Sequence, residues 1–410
     1  MDAQSLFDTK LPMLLAESPD LLNLGAVYVF TITGDGGGVW TVDLKNTPRS
    51  CRSGESSDCE CGIEMNYEDF QAILTEPARS KQFFYEGRIA VRGSMMLAGQ
   101  VPGLLTLVSS SRAPEGISAL FAPVLREKFL SDKWPNELLL VHGPAERLAG
   151  LAEIPAFRSI PSLFDFWPGV ARVPDNSLQP AGIARKRFEQ GASISFDMAE
   201  NPIPELRSWL TKLQLDLCLP ANVLGRCIVY VSAKGTGARM HFDQNVNFVI
   251  HLHGAKNWTV ARNLHVANPT EQYVSGTAEL PQELKLYCTP DLLKALPSNT
   301  ETVKLRRGSV MFLPRGYWHA TEATEDSLQL NFTFSQPTWA DALIPAIHRR
   351  LLRHSHWRAL ADGAGVGDPR RKQVAEKHFT NLLKQLIEDL GPLDAAEIIS
   401  EIRPVEAAKH

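Results

Sequence analysis

Apolar and polar residues alternate over several short stretches of this chain, the period expected of half-buried β-strands. AVYVFTI (26–32) and VWTVDLK (39–45) are two such stretches, joined by the turn TGDGGG (33–38), and read as a hairpin. The glycine run is no phosphate cradle, because a strand follows it where a cradle needs a helix. CECGIEM (59–65) predicts a further strand, with Cys59 and Cys61 on one face; Asn66 then caps a helix, NYEDFQAILT. YEGRIAVR (85–92) alternates as a strand, and the apolar segment 95–105 reads as a helix. Residues 1–20 have helical spacing, and SSSRAPEGISAL (109–120) has the composition of a linker. Short helices and strands follow up to Thr333, including a helix over 202–219 and the strand RCIVYVS (226–232). Residues 340–410 are amphipathic and helical, with basic turns and a glycine-rich break at 363–367.

The chemistry concentrates in TGARMHFDQNVNFVIHLHGAKNW (236–258). His241 and Asp243 are two residues apart, so a strand points both to one face. One more imidazole would complete a 2-His-1-carboxylate facial triad, a set that suits non-haem Fe(II). His319, after the turn Pro314-Arg315-Gly316, is the candidate, since a β-barrel brings distant strands together. Lys256 lies on an apolar strand and either caps the barrel rim or faces a buried anion. Asn247 and Asn331 either satisfy backbone at a bulge or donate to a carboxylate. His251 and His253 share the parity of Asn247 and read as residues behind the site or as solvated ones. Tyr317 and Trp318 are expected around the metal ligand, and His348, His354 and His356 on a solvated surface.

A chain of 410 residues with a formal charge of −4 carries no nucleic-acid footprint. The opening residues lack a signal-peptide core, no run spans a bilayer, and six cysteines do not suggest a disulfide scaffold. A cytoplasmic protein without a membrane span is expected.

Two resemblances follow from these motifs. GDGGG, WTVDLK, CECGIEM, the YEDF helix start and EGRIAVRGSMMLA resemble a sterol carrier protein type 2 domain over about residues 5–108. That implies an α+β domain and a pocket for a hydrophobic ligand near Met95, Met96, Leu97, Leu104 and Leu105; filling of the domain's own core is the alternative. HFDQNVNFVIHLHGAKNW, LPRGYWH and LQLNF resemble the JmjC branch of the cupin superfamily. Within that branch they are similar to hypoxia-inducible-factor asparaginyl hydroxylases and ribosomal-protein oxygenases.

The second resemblance implies an all-β double-stranded β-helix over 121–340 with flanking helices. It also implies a helical C-terminal segment, 341–410, as a dimerisation candidate. It further implies an Fe(II)- and 2-oxoglutarate-dependent dioxygenase that uses O2, releases succinate and CO2, and hydroxylates a peptide or protein side chain. His241, Asp243 and His319 match the iron ligands; Lys256, Asn247 and Asn331 match residues that hold 2-oxoglutarate. The hydroxyl common three positions before the first histidine is replaced by Ala238, leaving Thr236, Ser232 or Tyr230 as substitutes. Two other readings stay open: a lipid-binding protein with a silent cupin, and an oxygenase of a small molecule, a lipid or a tRNA base.

Overall fold

The computed structural model describes residues 2–17, 24–110, 115–223, 225–289, 297, 299–365, 367–400 and 402. They form two compact units, residues 1–217 with 225–334, and residues 218–224 with 335–410.

The first unit begins with helical turns over Ser5–Lys10 and Leu11–Glu17 that lie on a five-stranded sheet. Its strands are β1 (Val27–Thr33), β2 (Gly38–Asp43), β3 (Ser50–Ser53), β4 (Cys61–Asn66) and β5 (Ile89–Gly93), in the order β3-β2-β1-β4-β5. The hairpin β1–β2 pairs Tyr28 with Val42 and Phe30 with Trp40. Tyr28, Phe30 and Ile32 thus share one face, and Phe30 meets Phe7 from the first helical turn. The Asn66 side chain accepts the Asp69 N–H at 2.7 Å and starts the helix Tyr67–Thr75.

Several expectations are corrected. Residues 79–85 are helical, because Phe83 belongs to the core, and the strand starts only at Ile89, after Gly87 turns the chain at φ 72°. Cys59 precedes its strand rather than sharing a face with Cys61, and all six thiols are free. The expected linker is largely helix: one helix runs to Ser110 and another spans Gly116–Phe121. Ile117, Leu120 and Phe121 are buried, and the Ile117 N–H donates to Asp216 Oδ2 at 2.9 Å. Residues 111–114 of that stretch, and the end of the expected first helix at 18–20, lie outside the described residues.

Thirteen further strands build two antiparallel sheets. They are β6 (Leu139–His142), β7 (Val170–Arg172), β8 (Leu178–Pro180), β9 (Ser193–Phe196), β10 (Gly225–Ser232) and β11 (His241–Phe242). Then come β12 (Val246–His253), β13 (Ala255–Ala261), β14 (Tyr273–Val274), β15 (Glu301–Arg306), β16 (Ser309–Leu313), β17 (Trp318–Ala323) and β18 (Ser327–Phe334). The larger sheet runs β6-β16-β12-β18-β10-β9-β7-β8 and the smaller one β14-β11-β17-β13-β15. Phe121, Phe129, Phe248 and Phe312 stack behind the larger sheet, with ring centroids 5.1–6.2 Å apart. That burial leaves the opposite face of β12 and β18 for polar residues.

In the second unit, Thr338 and Asp341 form a reciprocal cap on the helix Trp339–Leu351. The Arg350 guanidinium donates to the Leu390 and Pro392 carbonyls and so closes the end of the helix Pro369–Leu390. No helix among the described residues is long and apolar enough to cross a membrane.

Candidate active site

His241 on β11 sits directly beside His319 on β17 in the antiparallel ladder. Paired residues project to the same face, so the two rings come together with centroids 4.0 Å apart. Asp243 continues on that face: its Oδ1 is 4.0 Å from His241 Nε2 and its Oδ2 3.6 Å from His319 Nε2. One ligand atom from each residue lies within 4.8 Å of the others. Cis ligands of an octahedral ion at about 2.1 Å stand roughly 3 Å apart, so small side-chain rotations would close the set on a divalent cation.

The surrounding backbone holds this geometry. Gly237 passes so close to β17 that a Cβ there would lie 1.7 Å from the Thr321 carbonyl oxygen. Gly316, at φ 82°, makes the turn before His319 and donates its N–H to the Asp243 carbonyl at 2.9 Å. His241 Nδ1 is 2.7 Å from the Arg239 carbonyl and His319 Nδ1 3.0 Å from the Tyr317 carbonyl. Carbonyls only accept, so the protons sit on Nδ1 and both Nε2 lone pairs face Asp243. Burial, then the neighbouring His241, lowers His319 to about 4, keeping it neutral and able to ligate.

Asp243 is oriented by two amides. Asn247 Nδ2 donates to its Oδ2 at 2.9 Å and Gln272 Nε2 to its Oδ1 at 2.7 Å. Asn331 Nδ2 donates in turn to Asn247 Oδ1 at 3.0 Å. The ligands open into a cavity of about 250 Å³ also lined by Tyr230, Ser232, Lys256, Trp258, Thr321 and Asn331.

Lys256 is 4% exposed, and its ammonium donates to Ser232 Oγ at 2.7 Å. No carboxylate pairs with it among the described residues, and burial lowers it to about 8. The Trp258 indole N–H and the Asn331 amide oxygen are likewise buried without a partner among the described residues. A cavity with a buried cation at one end and three metal-type donors at the other fits an anion that reaches a metal.

Residues 208–342 match the JmjC domain family, and residues 11–106 match the SCP-2 sterol transfer family. The chain joins an SCP-2 domain to a JmjC domain. It is 29% identical over 288 residues to YxbC of Bacillus subtilis, covering 67% of this chain and 86% of that protein. It is 26% identical over 336 residues to ribosomal oxygenase 1 of Gallus gallus, covering 73% of this chain but only 52% of that protein. Among solved structures, YcfD, a ribosomal oxygenase from Escherichia coli in complex with cobalt and 2-oxoglutarate, aligns with 65% of this chain and 68% of its own. The TM-score there is 0.36 and the identity 17%.

In the JmjC domain the expected residues gather unevenly. His241, Asp243, His319, Asn247, Lys256, Asn331 and Tyr230 all line the one cavity. Thr236 does not: its hydroxyl is held by Ser193 Oγ at 2.7 Å and the Ala233 carbonyl at 2.6 Å. Beside Ala238 the hydroxyl comes from Thr321, whose Oγ1 accepts the Ala238 N–H at 2.9 Å. Trp318 faces away from His319 toward Phe242 and Tyr273, as strand alternation requires. The ring stacked on His319 is Trp258, with centroids 5.6 Å apart. His251 is fully buried opposite Gln329, so it is not solvated; His253, past a bulge, is partly buried and bonds the Phe157 carbonyl at 2.6 Å. Gln272 and Thr321 were missed; the parity of Thr321 with His319 was the signal available for one, and nothing local marked the other.

The SCP-2 domain has a second cavity, of about 310 Å³, lined by Ile63, Met65, Phe84, Val91, Met95 and Leu105 among others. Of the residues expected there, Met95 and Leu105 line it. Met96 is 76% exposed, Leu104 is buried outside the cavity wall, and Leu97 packs on the core.

Proposed function

We propose that the JmjC domain is an Fe(II)- and 2-oxoglutarate-dependent oxygenase that hydroxylates an amino-acid side chain of a peptide or protein. The observation that carries this reading is the buried Lys256 ammonium, unpaired with any acid among the described residues, in the same cavity as His241, Asp243 and His319. Bound there, Fe(II) and 2-oxoglutarate would supply the oxidising power to insert one atom of O2 into an unactivated C–H bond, with succinate and CO2 as co-products.

The chain's own residues do the positioning. His241 and His319 present Nε2 because backbone carbonyls hold their Nδ1 protons. Asn247 and Gln272 fix the plane of the Asp243 carboxylate. Lys256 and Ser232 take the far carboxylate of the co-substrate, with Tyr230, Asn331 and Thr321 along the wall. Val249, Leu313 and Trp258 line the same space with apolar surface and exclude water.

The assignment to a protein substrate rests on the likeness to ribosomal oxygenase 1, of which the chain spans about half. We assign the cavity of the SCP-2 domain to a hydrophobic ligand, on its apolar walls. In the second unit, exposed Ile344, Val374 and Ile387 support residues 341–410 as a homodimer surface, to be checked by sedimentation.

The test of the oxygenase is Fe(II)-dependent succinate formation from 2-oxoglutarate, with candidate peptides read for a gain of one oxygen in mass. Turnover should vanish in Asp243→Ala and in His241→Ala; undiminished succinate in either would refute the assignment.

A further inference from the structure

The helical unit holds a second grouping of two imidazoles and a carboxylate, which the oxygenase reading does not use. His354 and His356 stand at the start of the short turn Ser355–Arg358, and Asp389 lies in the last turn of the helix Pro369–Leu390. The two histidines were expected on a solvated surface; instead one ligand atom from each lies within 4.8 Å of one from Asp389. Trp357 brings the turn to the helix. Its indole N–H donates to Asp389 Oδ2 at 2.8 Å, and its ring meets Phe379 edge-on.

The proton positions make the grouping informative. His354 Nε2 is 3.0 Å from the Asp389 backbone carbonyl, which only accepts, so that nitrogen carries the proton. A neutral ring then turns its Nδ1 lone pair toward Asp389 Oδ1, 3.6 Å away. Two acceptors face each other there, and a cation between them converts the repulsion into attraction. His356 Nε2 donates its proton to Asp389 Oδ2 at 2.7 Å, and an incoming cation that displaces this proton gains a third ligand nitrogen. Both imidazoles are about one-third exposed while the Asp389 side chain is 11% exposed, so an ion can enter from solvent onto an anchored carboxylate.

We propose that His354, His356 and Asp389 form a second metal site, for a divalent cation of the zinc class, which ties the turn 355–358 to the end of the long helix. Two nitrogens and one oxygen suit zinc, with water completing the set; magnesium or calcium would want more oxygens. A proton on His354 is the rival occupant, and it predicts no metal.

The experiment uses the full-length, tag-free chain carrying His241→Ala and His319→Ala, so that the JmjC cluster no longer competes. Equilibrium dialysis at micromolar free zinc should return one equivalent, and cobalt substitution should give visible ligand-field bands. Adding Asp389→Asn, which keeps an acceptor for Trp357, should remove both signals without changing the circular dichroism spectrum. As a second measurement, Asp389→Asn in the otherwise unaltered chain should lower bound zinc by one equivalent. No zinc on the His241→Ala/His319→Ala chain, or zinc that survives Asp389→Asn in either background, would overturn the site.

Discussion

Two of the cavities in the first unit are similar in size and opposite in their walls. The one in the JmjC domain, about 250 Å³, is lined by a buried ammonium, several side-chain amides and three metal-type donors. The one in the SCP-2 domain, about 310 Å³, is walled by Ile63, Met65, Ile73, Val91 and Leu105, with Ser80, Lys81 and the Tyr85 hydroxyl as its polar groups. A buried polar group must find a partner or cost free energy, so each one in the first cavity constrains what can enter. Apolar walls impose only size and solubility. The first cavity therefore commits to a chemistry, and the second to a class of molecule.

The sharpest way to break that contrast is Lys256→Met. Removing one partner of a buried ion pair costs about 3 kcal/mol or more. The KM for 2-oxoglutarate should then rise on the order of a hundredfold, with a smaller effect on kcat, as steady-state kinetics would record. An unchanged KM would move the anion elsewhere.

Next in size is Asn247→Ala. It frees Asp243 Oδ2 and breaks the relay to Asn331. Residues that orient a metal ligand are worth on the order of 10–100-fold in metal affinity, measurable by titrating Fe(II) or Co(II).

The third effect is in pH. Burial alone lowers Lys256 to about 8 from 10.5. Between those values the folded chain binds fewer protons at this residue than the unfolded one does. The residue's cost to folding is therefore full below pH 8 and is relieved as pH rises toward 10.5. Without bound anion, stability should gain from this residue across that window, a gain that Lys256→Met removes in urea unfolding. In the same window the ammonium is lost to an incoming carboxylate. KM for 2-oxoglutarate should climb by up to about tenfold per pH unit above 8, and the Lys256→Met profile should be flat there.

The smallest effect on turnover concerns the other cavity. Ala98→Phe projects a ring into the SCP-2 space and should abolish binding of a fluorescent fatty-acid probe. Succinate formation should stay at the parent rate; a fall would mean that the two cavities are coupled.

Much of the first cavity was legible because strand parity is local. His241 and Asp243, two apart, had to share a face once the segment was extended; Asn247 lies past a bend at 244–245, on β12 of the other sheet, and the family resemblance, not parity, pointed to it. Thr321 follows from His319 by the parity rule. Gln272 does not: it reaches Asp243 across 29 residues, from just before the short strand β14, and no periodicity announces it. Ser232 owes its role to Lys256, which reaches it from another sheet. In the tail, His354 and His356 looked like solvated residues because Asp389, more than thirty positions later, carries no mark of its own. The expected linker failed for the same reason. Gly116–Phe121 is too short to hold a helix alone and is fixed by Asp216, about a hundred residues downstream.

The ladder between β13 and β17 sets Val260 beside His319 and Lys256 beside Ala323, a separation of four strand residues, or about 13 Å along the sheet. Histidine and lysine both line the cavity, from the two ends of that interval. Under the proposed activity, the strand register then sets the length of diacid that can reach both groups at once, and a shorter diacid should bind less tightly.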